Sequence, residues 1–207
     1  INADMTRAMT LYEESGKQVQ THPSHMDYYV AKGIEAKIAL VQERWQDAYD
    51  AATIARSRNG VRLLNADELH NGMNDMNLAS NLWCMEVLTD QAPIYYYYLD
   101  YRGSNGGFNQ RKCVSKWLYD QIKKHNDDTR LGWFKDGNQG SELTGENVNY
   151  GQVKLMAKDI GTLTGDIIFM RAEEMLLIQA EAKARLGLYT DARNLLKDLA
   201  KVRFTTT

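Results

Sequence analysis

Four consecutive tyrosines, Tyr95 to Tyr98, stand just ahead of Tyr101, Arg102, Asn105, Phe108, Asn109 and Gln110. No other part of the chain concentrates aromatic rings and hydrogen-bonding side chains in this way. Aromatic rings pack against the apolar C–H faces of pyranose rings, while amides and guanidinium groups bond the hydroxyls. The candidate ligand residues are therefore Tyr96, Tyr98, Tyr101, Arg102, Asn105, Phe108 and Asn109. In an extended segment Tyr95 and Tyr97 share one face and Tyr96 and Tyr98 the other. At most one pair then meets a ligand, and the competing reading makes the other pair core. Trp133, in Arg130-Leu-Gly-Trp-Phe-Lys-Asp-Gly137, is an eighth candidate. It either stacks on a sugar or packs beneath the loop that follows. Trp45, Trp83 and Trp117 are expected in the core.

Other chemistry finds less support. Glu173 and Glu174 are adjacent, so on a helix they point about 100° apart and do not form a hydrolytic pair. An ion pair from Glu174 or Glu181 to a nearby Arg is the expected role. A helical glycosidase would need two carboxylates facing each other in a cleft; the candidates on irregular stretches are Asp100, Asp128, Asp136 and Glu142, and the sequence does not pair them. His22 and His25 lack the carboxylate or thiol companions of a metal site. Cys84 and Cys113 form no metal pattern and read as small hydrophobes, with a disulfide as the alternative. There is no Gly-rich phosphate loop, G-x-S-x-G or H-E-x-x-H. No catalytic residue, cofactor or metal is expected.

The elements that must position these residues are helical. Gly165 to Arg203 reads as a hairpin, with Asp166 capping a helix that runs to about Leu186 and Gly187 ending it. Ile168, Met175, Leu176, Ile178, Ala180, Ala182 and Leu186 cover most of that helix, which must pack on more than one side. Thr190 caps the next helix, whose stripe is Ala192, Leu195, Leu196, Leu199 and Val202. The same grammar stands 144 residues earlier: Ala36 aligns with Ala180, Trp45 with Tyr189, Asp47 with Asp191 and Ala48 with Ala192. A small residue in the first helix, an aromatic at the turn and Asp-Ala opening the second form a tetratricopeptide pattern.

A helix over Asn2 to Gln20 is broken by Pro23, and a capping box from Ser24 to Asp27 opens a helix running to Arg44. Asp47 to Arg58 follows. Lys112 to His125 should form a helix that buries Val114, Trp117, Leu118 and Ile122. The expected organisation is one domain over 1–207: an N-terminal helical repeat (1–60), an irregular insertion with a short helix (61–164), and a C-terminal hairpin (165–207). The fold class is mainly α, with tetratricopeptide-like hairpins and a long insertion. Long insertions in such arrays gather on one face, often the binding face.

Asp166, Arg171, Glu174, Leu176, Leu177, Ala180, Glu181, Ala182, Gly187 and Ala192 together resemble the late helical core of the SusD/RagB family. Asp128-Thr129-Arg130 and Tyr150-Gly-Gln-Val-Lys154 are similar to patterns that precede that core. Ala172 stands where the family usually has an aromatic, and Lys197 where it usually has Asn. The resemblance implies a SusD-like fold and a nutrient-binding lipoprotein of the Bacteroidetes outer membrane, as used in polysaccharide utilization. It implies capture of a glycan at the cell surface and delivery to a SusC-like TonB-dependent transporter. Membrane attachment would be through a lipid anchor outside this chain. The chain opens at Ile1 inside an apparent helix, which suggests a piece of a longer protein. The alternative reading is a tetratricopeptide scaffold that binds a protein partner.

Composition agrees with a binding domain of this kind. The 207 residues are 43% hydrophobic and 25% charged, enough for a sizeable core. A net charge of −2 offers no general attraction for nucleic acid. No run of 18 apolar residues occurs, so no helix here is expected to span a membrane.

Overall fold

The computed structural model describes residues 1–16, 19, 22–70, 72–93, 114–134, 150, 154–155, 157–159 and 161–205. Among these are helices α1 (Asn2–Ser15), α2 (Tyr28–Val41), α3 (Trp45–Arg56), α4 (Ala66–His70), α5 (Lys116–Lys123), α6 (Ala172–Arg185) and α7 (Tyr189–Lys201). Strands β1 (Asn81–Met85) and β2 (Ile167–Arg171) form a two-stranded sheet. None of the described helices is long and apolar enough to cross a membrane. The chain divides into two compact units.

The first unit comprises 1–63, 79–84 and 169–201. Here α2 and α3 form one hairpin, α6 and α7 form another, and α3 packs on α6. The contact surfaces are made of small residues. Ala36, Ala39, Ala48, Ala51, Ala52, Ala55 and Ala182 are buried with Val30, Leu82, Met170, Met175 and Ile178. With so little side chain between them, the backbones approach closely, and dispersion contacts accumulate along the whole seam. Gly33 is the extreme case: a Cβ there would overlap Met170 Sδ and touch Met175 Sδ. Polar side chains cross the same seam, with Gln179 Nε2 donating to Thr53 Oγ1 at 2.6 Å and Arg56 donating to Gln179 Oε1.

Both hairpins turn by the same device. At the end of α2, Glu43 N–H bonds Leu40 C=O and Arg44 N–H bonds Ala39 C=O; at the end of α6, Gly187 N–H bonds Ala184 C=O and Leu188 N–H bonds Lys183 C=O. Each is a Schellman motif, with Glu43 (φ 58°) and Gly187 (φ 78°) in the left-handed region. Trp45 opens α3, as the repeat pattern requires, and Tyr189 opens α7 one residue before the expected cap Thr190.

Two helix starts differ from expectation. The cap of α2 is Asp27, not Ser24: its fully buried carboxylate accepts from Val30 N–H at 2.9 Å and faces Arg58 Nη2 at 3.4 Å. Arg58 also donates to Leu82 C=O at 3.1 Å, so the cap ties α2 to the end of α3 and to β1. The helix expected from Asp166 begins only at Ala172, because Ile167 to Arg171 is strand β2. Ile167, Ile168 and Phe169 are β-branched or aromatic and suit the extended pairing with β1. Arg171 is still extended (φ −137°, ψ 158°), and Ala172 N–H, an orphan of the first turn, donates to Ser80 C=O at 2.8 Å. The N-terminal helix also stops early, at Ser15, where Gly16 (φ 65°) turns left-handed.

The second unit comprises 64–78, 85–168 and 202–207. In it α4 lies against the 3-10 turn Thr129–Trp133. Val87 and Ala157 are buried with Met85 and Ile167 beside them. Asp166 organises the loops of this unit. Its buried carboxylate accepts from Met76 N–H at 2.9 Å and Val87 N–H at 3.4 Å and meets Lys158 Nζ at 3.2 Å. A residue expected to cap a helix therefore joins three loop segments, Asn74–Met76, Val87 and Lys158.

Candidate functional site

Seven of the eight candidate ligand residues, Tyr96, Tyr98, Tyr101, Arg102, Asn105, Phe108 and Asn109, lie outside the described residues. So do Asp100, Asp136, Glu142 and Cys113. The described segments on either side are Thr89–Gln91, a 3-10 turn, and α5, which opens at Ser115.

Trp133 needs correction. It is 4% exposed, and its indole N–H donates to Leu69 C=O of α4. Lys154 Nζ stands 5.6 Å from the ring centre. A ring so enclosed presents no face to a sugar, so Trp133 is a core residue of the second unit and the packing alternative holds for it. Its position follows from the turn that carries it. Asp128 caps that turn by accepting from Arg130 N–H at 2.9 Å, and the Arg130 guanidinium folds back on the same carboxylate at 2.6–3.2 Å. Thr129 N–H and Oγ1 both donate to Arg203 C=O. The Asp-x-Arg triplet is thus a clamp. Burial works against the charge on Asp128, but the Arg130 hydrogen bonds and the Arg130 and Arg203 charges outweigh it and hold the carboxyl below its ordinary range. A carboxylate so engaged serves structure rather than hydrolysis.

Trp117, expected in the core, is 70% exposed. Helix α5 is rotated relative to the expectation. Ser115 caps it through Leu118 N–H at 3.2 Å, and the residue it buries is Tyr119, whose ring meets Tyr150 at 5.3 Å. The face opposite Tyr119 carries Trp117, Asp120, Gln121 and Lys124. The other two tryptophans stay inside as expected. Trp45 and Trp83 are half-buried against the alanine-rich core, and Trp83 meets Phe169 at 4.8 Å.

The remaining candidates take structural roles. Glu174 pairs with Lys37 at 2.9 Å and Glu181 with Arg185 at 3.4 Å. The His22 and His25 rings lie 5.6 Å apart, and His22 Nδ1 is 2.7 Å from Ser24 Oγ. Among the described residues no three His, Cys, Asp or Glu side chains gather as a metal site would require. Cys84 is buried in β1, as a small hydrophobe would be.

The sequence profile of the SusD family (SusD_RagB) matches residues 91–204, more than half of the chain. The chain belongs to the SusD family. The match takes in the tyrosine-rich segment, α5, the Asp128–Arg130 clamp and the α6–α7 hairpin of this SusD-family chain. No curated protein sequence matches it. Among solved structures, a SusD-like carbohydrate binding protein from Bacteroides vulgatus superposes with a TM-score of 0.70 at 23% identity, covering 98% of this chain and 44% of its own. A SusD superfamily protein from Bacteroides thetaiotaomicron superposes with a TM-score of 0.73 at 21% identity, covering 99% and 46%. A second Bacteroides vulgatus SusD superfamily protein gives 0.71 at 18% identity, covering 94% and 45%. At these identities the likeness is one of fold: mainly helical, tetratricopeptide-like and SusD-like. The chain spans less than half the length of these solved relatives.

Proposed function

We propose that this chain is part of a cell-surface nutrient-binding protein that captures an oligosaccharide and hands it to a SusC-like TonB-dependent transporter of the outer membrane. The observation that carries this reading is the SusD-family match over 91–204, which encloses the most aromatic stretch of the sequence. In this reading no bond is made or broken. The paired hairpins α2–α3 and α6–α7 act as scaffold, and the segment between them supplies the ligand contacts. Tyr96, Tyr98, Tyr101 and Phe108 stack on sugar rings, and Arg102, Asn105 and Asn109 bond the hydroxyls. A lipid anchor in the full-length protein holds it at the cell surface of a Bacteroidetes bacterium.

The test is binding of the full-length protein to an array of plant, fungal and host glycans, followed by calorimetry on each hit. Saturable binding without turnover is the expected result. Tyr98→Ala and Tyr101→Ala should then each weaken binding about two- to tenfold or more without loss of helicity, since stacking contributes about 0.5–1.5 kcal/mol per aromatic contact beyond the area it covers. Silence across the array would move the reading to a protein partner. The feature that favours that alternative is the outer side of α7, where Leu188, Tyr189 and Leu196 are exposed.

A further inference from the structure

Trp117 is the tryptophan that stands out in the described structure. Tryptophan is among the more deeply buried residues on average, and 70% exposure is far from that pattern. Helix α5 is capped by Ser115 and its buried residue Tyr119 meets Tyr150, so the indole projects from the side of the helix away from that contact. Its neighbours one turn on are polar. Lys116 Nζ bonds Asp120 at 2.6 Å and Lys124 Nζ bonds Gln121 Oε1 at 2.8 Å. These are solvent-exposed pairs of the kind that contribute little and exchange easily.

The dimensions select the occupant. A stable protein partner needs about 800 Å² on each side. Here the exposed apolar surface is one indole with Leu118 next to it in the chain, interrupted by the charges of Lys116, Asp120 and Lys124. One sugar ring matches that area. Its C–H face lies on the indole, and its hydroxyls meet an acceptor at Asp120, a donor and acceptor at Gln121 and a donor at Lys124. We infer that Trp117, flanked by Asp120, Gln121 and Lys124 on the outer face of α5, is a stacking subsite for a sugar unit of a neutral oligosaccharide. The inference rests on the glycan reading proposed above. It adds a ligand position on a helix, outside the tyrosine-rich stretch of the sequence.

The test uses the full-length protein with maltoheptaose, cellohexaose, xylohexaose, laminarihexaose and mannohexaose. Wild type, Trp117→Ala, Trp117→Phe and Gln121→Ala are titrated by calorimetry and tryptophan fluorescence, and each is melted. The expected result is an affinity loss of tenfold or more in W117A, partial recovery in W117F, a smaller loss in Q121A, and a Tm within about 1 °C of wild type. An unchanged Kd in W117A for an oligosaccharide that wild type binds overturns this subsite and leaves the glycan reading standing. A Tm lowered by several degrees in both W117A and W117F also overturns it, because Trp117 would then be a packing residue. Failure of wild type to bind any of the five, together with a silent glycan array, removes the glycan reading and this subsite with it.

Discussion

Glu43 and Gly187 adopt the same left-handed backbone conformation, 144 residues apart, and close identical Schellman motifs at the ends of α2 and α6. The chain has reused one turn geometry at two hairpins with glycine at only one of them. Left-handed backbone costs a Cβ-bearing residue about 1 kcal/mol relative to glycine. Glu43→Gly should therefore raise stability by about 0.5–1 kcal/mol, and Gly187→Ala should lower it by about 1 kcal/mol. Urea unfolding of the two variants checks both signs, and a destabilised E43G would show that Glu43 makes a compensating contact.

Gly33 sets the approach of α2 to Met170 and Met175. Gly33→Ala places a methyl where Met170 Sδ stands, and overpacking of this kind costs about 1–3 kcal/mol. Helix propensity works the other way by about 1 kcal/mol. The variant should nevertheless be less stable than wild type, and G33A combined with Met170→Ala should cost less than the sum of the two single changes, because the second removes the atom the first collides with. Thermal melts of the single and double variants read the coupling directly.

Asp128 should make stability acid-sensitive. Its carboxyl is held below the ordinary value in the folded state, so its contribution is fully present above the unfolded pKa near 4. That contribution is lost as pH falls from about 4 through the lower folded value. Asp128→Asn should flatten the stability profile in that acid window. At neutral pH it should cost about 2 kcal/mol, less than a fully enclosed pair would because Arg130 is partly exposed. An unchanged acid limb of the Tm–pH curve would rule out the clamp as its source.

Trp133 and Trp117 should respond in opposite ways to truncation. Removing the buried Trp133 leaves a large cavity and takes one of its two donors from the Leu69 carbonyl, which keeps Gly72 N–H, a loss of about 3–5 kcal/mol. The exposed Trp117 has no comparable contacts to lose. One denaturation series on W133A and W117A reads the contrast, and equal losses in the two variants would rule it out.

The repeated hairpins were legible in the sequence because helix periodicity, small-residue spacing and a terminal glycine are local signals. Ala36 and Ala180, Asp47 and Asp191, and Gly187 each announced their roles without reference to distant residues. The family was legible for the same reason. Its pattern from Asp166 to Ala192 mixes helix-face spacing with fixed polar positions, and the profile match over 91–204 bears it out.

What only the tertiary structure decided lay in short apolar stretches with distant partners. Ile167 to Arg171 reads equally as the first turn of a helix or as a strand, and the pairing with Asn81–Met85 settles it. Asp166 then ceases to be a cap, because the backbone N–H groups of Met76 and Val87 come to it from far along the chain. The placement of two tryptophans has a related reason. On an eight-residue helix, apolar residues at 117, 118, 119 and 122 allow more than one buried face, and the Tyr119–Tyr150 contact chose the one that leaves Trp117 outside. Trp133 went inside because α4 offered it a carbonyl, a partner more than sixty residues away that local spacing does not reveal. Periodicity determined which segments are helices and how they pair; long-range hydrogen bonds and packing decided which side chains were left facing solvent, where a ligand can reach them.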